Sequence, residues 1–266
     1  MNIQLHGIND VSMAYEDRGS GPPLLFIHGY PLSRALWEGQ VNGLSGAARV
    51  LAPDLRGHGD SQTTSGTYSM ELLADDCLRF LDVLHVSQPV VVCGLSMGGY
   101  VTFAFYRKYQ DRVAGLILAA TKAGADSLEG QANRDKAAAT AREKGVSAIA
   151  DSMLPKMLAA KTYEAKPDLV ATVRRMMETT ALDGVVGDLM GMKERPDSTP
   201  LLAEIDKPTL ILHGADDQLI PPKEGEAMHA AIKNSRLQLI PGAGHLLNME
   251  QPELFNKAVR EFVGAL

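Results

Sequence analysis

Between Leu24 and Ile240 the chain repeats one pattern: a short, unbroken apolar run, then a longer segment with apolar residues at helical spacing. The runs are Leu24-Leu25-Phe26-Ile27, Val50-Leu51-Ala52, Val90-Val91-Val92-Cys93, Val113 to Ala119, Thr209 to Leu212 and Leu237 to Ile240. A strand that is apolar at successive positions must bury both of its faces, which is the signature of a sheet covered on two sides. Between the runs, Met70 to Leu84 places Leu72, Leu73, Leu78, Leu81 and Leu84 mainly on one helical face, and Gly99 to Tyr109 and Pro252 to Val263 behave alike. Alternation of this kind predicts an α/β fold with a mainly parallel sheet and helices on both faces. The first residues differ, since IQLH, a GIND turn and VSMAYED read as a polar-flanked hairpin.

One stretch breaks the alternation. From about Ala125 to Pro200 there is no strand-like run, strong helix formers dominate, and a Pro-Asp-Ser-Thr-Pro cluster closes the segment. It holds six of the twelve methionines and a single aromatic residue, Tyr163. Methionine at helical spacing reads first as core filler, and its flexibility also suits a ligand-facing lid.

Composition narrows the function classes. With 45% apolar and 22% charged residues the chain can bury a large core, and its formal charge of −6, with the basic residues scattered, offers no stripe for nucleic acid. Cys77 and Cys93 are too few for a disulfide framework or a metal site and read as small buried hydrophobes. No basic patch precedes an apolar run at MNIQLHGIND, no segment has the roughly 18 apolar residues of a membrane span, and no Asn-x-Ser/Thr site is present. A cytoplasmic protein without membrane or nucleic-acid partners is the expectation, with oligomeric state left open.

Chemistry concentrates in Val90-Val91-Val92-Cys93-Gly94-Leu95-Ser96-Met97-Gly98-Gly99, where an apolar strand runs into Gly-x-Ser-x-Gly and then into a helix. A nucleophilic serine must project from a tight, strained turn, and the flanking glycines remove side chains that would block it. The following helix directs its N-terminal amides and positive dipole end toward any developing oxyanion. A serine needs a base, and the base needs an orienting group. Of the seven histidines, His245 lies in Pro241-Gly242-Ala243-Gly244-His245, directly after a strand, at the sheet edge where open α/β sheets build sites. His6, His85 and His229 read as surface residues, and His28 and His213 as structural ones. For the orienting carboxylate, Leu212-His213-Gly214-Ala215-Asp216-Asp217 offers two, and spacing from Gly214 favours Asp217 with Asp216 as the alternative. Acyl transfer also needs two preorganised N–H donors, and the amides of Tyr30, in His28-Gly29-Tyr30-Pro31, and of Met97 form the expected pair. Asp54-Leu55-Arg56-Gly57-His58-Gly59-Asp60-Ser61 reads as a loop bracing the site.

These motifs together resemble the α/β-hydrolase fold family over essentially the whole chain: HGYP, DLRGHGDS, GLSMGG, GADDQLIP and GAGH stand in the family's order. The resemblance is greatest to small serine carboxylesterases, cofactor-free haloperoxidases (perhydrolases) and enol-lactonases. It implies a mostly parallel eight-stranded sheet, a core formed by residues 1–124 and 201–266, and a helical cap over residues 125–200. It further implies Ser96 as nucleophile, His245 as base, Asp217 as acid, and the Tyr30 and Met97 amides as oxyanion hole. No metal or organic cofactor is called for. HGxP is shared with epoxide hydrolases and haloalkane dehalogenases, but those relatives carry aspartate where this chain has Ser96.

The expected reaction is hydrolysis of a small-molecule ester or lactone through an acyl-enzyme. Three other readings use the same scaffold: an enol-lactonase or C–C bond hydrolase of aromatic catabolism, a perhydrolase side activity, and a ligand receptor. The lactonase reading requires a cation in the pocket, for which Arg134, Arg142, Arg174 and Arg175 are the candidates.

Overall fold

A computed structural model describes residues 4–266. The described residues form one eight-stranded sheet: β1 (Gln4–Ile8), β2 (Val11–Arg18), β3 (Pro23–Ile27), β4 (Arg49–Pro53), β5 (Val90–Leu95), β6 (Val113–Ala119), β7 (Thr209–Gly214) and β8 (Ser235–Ile240), in the order β1-β2-β4-β3-β5-β6-β7-β8. β1 and β2 form the expected hairpin, and β2 also runs antiparallel to β4; every other pair is parallel. Ile3, at the start of that hairpin, and the side chain of His6 lie outside the described residues.

The unbroken apolar runs form the central strands for the reason the pattern implies. Alternate residues enter two separate cores, with Leu25, Ile27, Val90, Val92, Leu116 and Leu118 on one face of the sheet. Leu24, Phe26, Val91, Cys93, Ile117 and Ala119 lie on the other. Helices α1 (Glu38–Leu44), α2 (Met70–Val83) and α3 (Met97–Lys108) divide between these faces: Cys77, Phe80, Val101 and Phe105 cover the first, and Val41 and Leu44 the second. The α2 helix starts where Ser69 accepts a hydrogen bond from the Leu72 amide at 3.1 Å, a side-chain cap for an otherwise orphaned donor.

Between β6 and β7 the chain forms α4 (Leu128–Lys144), α5 (Val146–Met153), α6 (Ala160–Ala165), α7 (Pro167–Glu178), α8 (Leu182–Glu194) and α9 (Thr199–Leu202), with no strand among the described residues. Its apolar faces join both cores, through Ala138, Val185 and Leu189 on one side and Met157, Val173 and Met177 on the other. Helices α10 (Pro222–Ala231), α11 (Leu247–Glu250) and α12 (Pro252–Val263) complete the chain, α12 packing Phe255, Val259 and Phe262 beside α1. Among the described residues no helix is long and apolar enough to cross a membrane.

One expectation needs correction. Leu237 to Ile240 reads as a strand buried on both faces, yet β8 is an edge strand and Leu239 is 40% exposed. Edge position depends on strand order, which a local run of residues does not encode.

Candidate active site

Strand order places the chemistry. From β3 the chain crosses to β4 on one side, and β5 then returns to pair with β3 on the other, so the carboxyl ends of β3 and β5 flank the point where winding reverses. Crevices at such switch points are where open α/β sheets bind ligands. His28-Gly29-Tyr30 leaves β3 there, and Ser96 leaves β5.

Ser96 is the only residue between the end of β5 at Leu95 and the start of α3 at Met97. Its backbone has φ 57° and ψ −115°, a strained conformation for a residue with a side chain. The turn is held by the Ser96 amide donating to Ala119 O at 2.9 Å and by the Thr121 hydroxyl donating to Ser96 O at 2.8 Å. Glycine is obligatory on both sides: a Cβ at Gly94 would lie 2.1 Å from Gly98 O, and one at Gly98 would lie 2.2 Å from Ile27 O. The neighbouring residues are fully buried, whereas Ser96 keeps part of its surface open.

Asp217 and His245 come together from the ends of β7 and β8. His245 Nδ1 lies 2.9 Å from Asp217 Oδ2, and Asp217 Oδ1 accepts the Leu219 and Ile220 amides at 2.9 and 3.0 Å. Burial opposes the negative charge of Asp217. The charge of His245, hydrogen bonding from His213 and His245, and the Ile220 amide overcome it and hold the carboxyl well below the usual carboxylate range. His213 sits 3.5 Å from Asp217 Oδ2 but donates from Nε2 to Ile220 O at 2.8 Å, bracing the loop. Asp216 is exposed, and its amide donates to Ala243 O. The geometry therefore joins Asp217, not Asp216, to His245.

Met97 opens α3 directly after Ser96, and Tyr30 follows Gly29, whose Cβ, were it present, would lie 3.2 Å from Ser96 Cβ. Neither backbone amide donates a hydrogen bond to any described residue. Two unpaired amides at buried residues call for an explanation, and an acceptor supplied by a ligand is one. His28 is a packing residue: its Nε2 accepts the Leu55 amide at 3.0 Å, and burial together with the nearby charge of His58 depresses its pKa well below the usual imidazole value.

The Asp54 to Ser61 loop braces this edge through charge. Asp54, fully buried, accepts the Arg34 amide at 2.6 Å and pairs with the Arg34 guanidinium, and Arg56 binds Asp76 at 2.6 Å. His58 reaches out of the loop to Asp188 of α8, with Nε2 and Oδ2 3.0 Å apart and both side chains fully buried. Sequence reasoning found the loop but not its partner, 130 residues away by number, for which no local pattern gives a signal. Glu250 of α11 was also missed; it is buried and accepts from the Gly244 amide beside His245.

A crevice of about 490 Å³ opens elsewhere, between α7 and the segment after the Tyr30 loop, lined by Arg18, Arg34, Glu38, Val41, Arg175 and Met176 among others. It touches neither Ser96 nor Asp217 nor His245. The described residues include no group of three or more His, Cys, Asp or Glu side chains placed to hold a metal ion.

Residues 22–252 match the model of the alpha/beta hydrolase fold. The chain belongs to that family. Among alpha/beta hydrolase structures, a thermophilic esterase from Thermogutta terrifontis is 43% identical with a TM-score of 0.95, covering 99% of this chain and 97% of that one. The enol-lactonase from Burkholderia xenovorans is 29% identical with a TM-score of 0.91, covering 98% and 100%. By sequence, 3-oxoadipate enol-lactonase 2 from Acinetobacter baylyi is 28% identical over 252 residues, 94% of this chain and 92% of that one. Membership accounts for the mostly parallel eight-stranded sheet and for the motifs that led to it.

Proposed function

We propose that the protein is a serine hydrolase cleaving carboxylic esters of small to medium size, with Ser96 as nucleophile, His245 as base, Asp217 as acid, and the Tyr30 and Met97 amides as oxyanion hole. The observation that carries this reading is the 2.9 Å pairing of His245 with Asp217 at the same sheet edge as the strained Ser96. His245 Nε2 takes the Ser96 hydroxyl proton as Oγ attacks the ester carbonyl. The oxyanion is met by two amides that have no other acceptor. His245 then gives its proton to the leaving alcohol, and water, deprotonated by the same imidazole, releases the acid from the acyl-enzyme. Asp217 stays ionised and accepts a hydrogen bond from Nδ1–H throughout, which fixes the tautomer and stabilises the imidazolium. Residues 125–200 act as a helical cap over the substrate.

The 43% identity with an esterase supports ester over lactone substrates, and so does the disposition of the arginines. Arg134 is paired with Asp126 at 3.0 Å, Arg174 with Asp151 and Glu178, Arg142 is exposed, and Arg175 faces the separate crevice. A carboxylated lactone thus meets no unpaired cation among these four. The likeness to two enol-lactonases keeps that reaction as the second reading. The test is hydrolysis of p-nitrophenyl esters from acetate to palmitate by wild type and Ser96→Ala. Turnover peaking at short or medium chains and falling about 10⁴-fold or more in the variant is expected. Equal turnover by a folded Ser96→Ala removes the assignment, and a wild type active only on enol-lactones selects the second reading.

A further inference from the structure

We infer that Glu250 is a positioning residue for His245, and that through it the cap segment 157–162 holds the general base in place. The inference rests on the reading of His245 as that base. Asp217 fixes the imidazole ring, but the backbone that carries the ring is tied down from a different direction. Glu250 is 1% exposed and its carboxylate serves two elements at once. Oε2 accepts the Gly244 amide at 2.6 Å, while Oε1 accepts the Ala159 amide at 2.8 Å and the Thr162 hydroxyl at 2.5 Å. On the other side of His245, the Leu246 amide donates to Met157 O at 3.1 Å. Both peptide neighbours of the base are therefore fastened to the same cap strap, and Lys166 Nζ adds a bond to Glu250 O at 2.7 Å.

The packing leaves no slack in this clamp. A Cβ at Gly244 would lie 2.5 Å from Ala159 N, so the histidine loop lies directly against the cap backbone. Charge-assisted hydrogen bonds to a buried carboxylate are short and strong, and losing one leaves a buried donor unsatisfied. The chemistry makes the consequence specific. Glutamine has one acceptor oxygen where glutamate has two, so its amide nitrogen must face either the Gly244 amide or the Ala159 and Thr162 donors. Facing Gly244, the amide loses the bond to the histidine loop; facing the cap, it loses the Ala159 bond while the Thr162 hydroxyl can turn to accept, so either arrangement weakens the link between base and cap while conserving volume.

The experiment compares wild type, Glu250→Gln, Thr162→Val and Ser96→Ala in p-nitrophenyl acetate hydrolysis and in covalent labelling by a fluorophosphonate. Labelling reads serine activation by the base directly and does not depend on knowing the natural substrate. Misplacing a catalytic group by about 1 Å lowers rates up to about 100-fold. Glu250→Gln is expected to lower kcat and the labelling rate together, by about tenfold or more, with KM within about threefold and a displaced acid limb of the kcat/KM pH profile. Thr162→Val, which removes one cap-side bond, moves both rates the same way by about threefold. A folded Glu250→Gln with a lowered Tm but unchanged kcat, labelling rate and pH profile overturns the inference. If Glu250→Gln does not fold, Thr162→Val decides it, and an unchanged labelling rate there overturns it. Labelling or turnover that persists in Ser96→Ala identifies the different failure, that of the catalytic assignment itself.

Discussion

Two buried aspartate–histidine pairs of nearly equal length hold carboxyl groups whose pKa values are shifted in opposite senses. Asp217 and His245 are 2.9 Å apart at the sheet edge, and Asp188 and His58 are 3.0 Å apart between α8 and the core. The Asp217 carboxyl lies well below the usual carboxylate range, whereas that of Asp188 is raised by burial, against the opposing charges of His58 and Arg134. The difference lies in what faces each carboxylate: for Asp217 the charge of His245 comes first, with hydrogen bonds from His213 and His245 and the Ile220 amide behind it. Asp217 Oδ1 receives two backbone amides, while neither oxygen of Asp188 has a well-aligned donor. Burial alone does not fix the charge of a carboxylate; the charges and hydrogen-bond donors that face it decide. Burial likewise opposes a charge on His58, but the Asp188 carboxylate outweighs it and raises the imidazole above its ordinary value. In the proposed triad the first pair orients the base, and the second ties α8 to the Asp54 to Ser61 loop.

The sharpest way to separate the two is by rate. Asp217→Asn is expected to lower kcat about 10⁴-fold through the wrong imidazole tautomer, and Asp188→Asn to leave kcat within about threefold. Equal losses of kcat would break the comparison. The next effect is on stability. Removing one partner of a buried pair leaves an uncompensated group, so Asp188→Asn should destabilise the fold by about 3 kcal/mol in urea unfolding. No loss of stability would show that α8 is held by packing alone.

The smallest effect, and the most diagnostic, is the dependence of these losses on pH. His58, raised in the fold, contributes stability that is full below 6.5 and is lost as pH rises through its folded value. Asp188, also raised, adds to the same trend, because its ionisation weakens the fold as pH climbs past 3.8. The stability difference between wild type and Asp188→Asn should therefore shrink with rising pH. For Asp217, depressed in the fold, stability is present above 3.8 and is lost as pH falls through the folded value. The difference between wild type and Asp217→Asn should shrink toward low pH instead. Parallel pH trends for the two variants would contradict the opposed environments.

The sheet and the site candidates were legible because their signals are local. Ser96, His245 and Asp217 each follow an apolar run by a few residues, and the glycines around them mark turns. The alternation that produced two cores was equally plain in Leu24 to Ile27. What stayed hidden depends on distant partners. Glu250 sits in an unremarkable helical stretch, and only folding brings it to Thr162 and Gly244. His58 stood in a conspicuous motif, but nothing in its surroundings indicates Asp188. The exposure of Leu239 followed from strand order, a property of the whole sheet.

The crevice beside α7 bears on how this chain can change. α8 is fixed by the Asp188 pair and, just before its first turn, by the Thr180 hydroxyl donating to Pro31 O at 3.0 Å, so substitutions there disturb the loop that carries Tyr30. α7 and the residue that follows it instead present exposed Thr172, Arg175 and Thr179 to open space. Variation at these exposed positions can alter size and charge without unseating the buried Val173, Met176 and Met177. Adaptive drift and directed evolution therefore have free ground on the exposed face of α7.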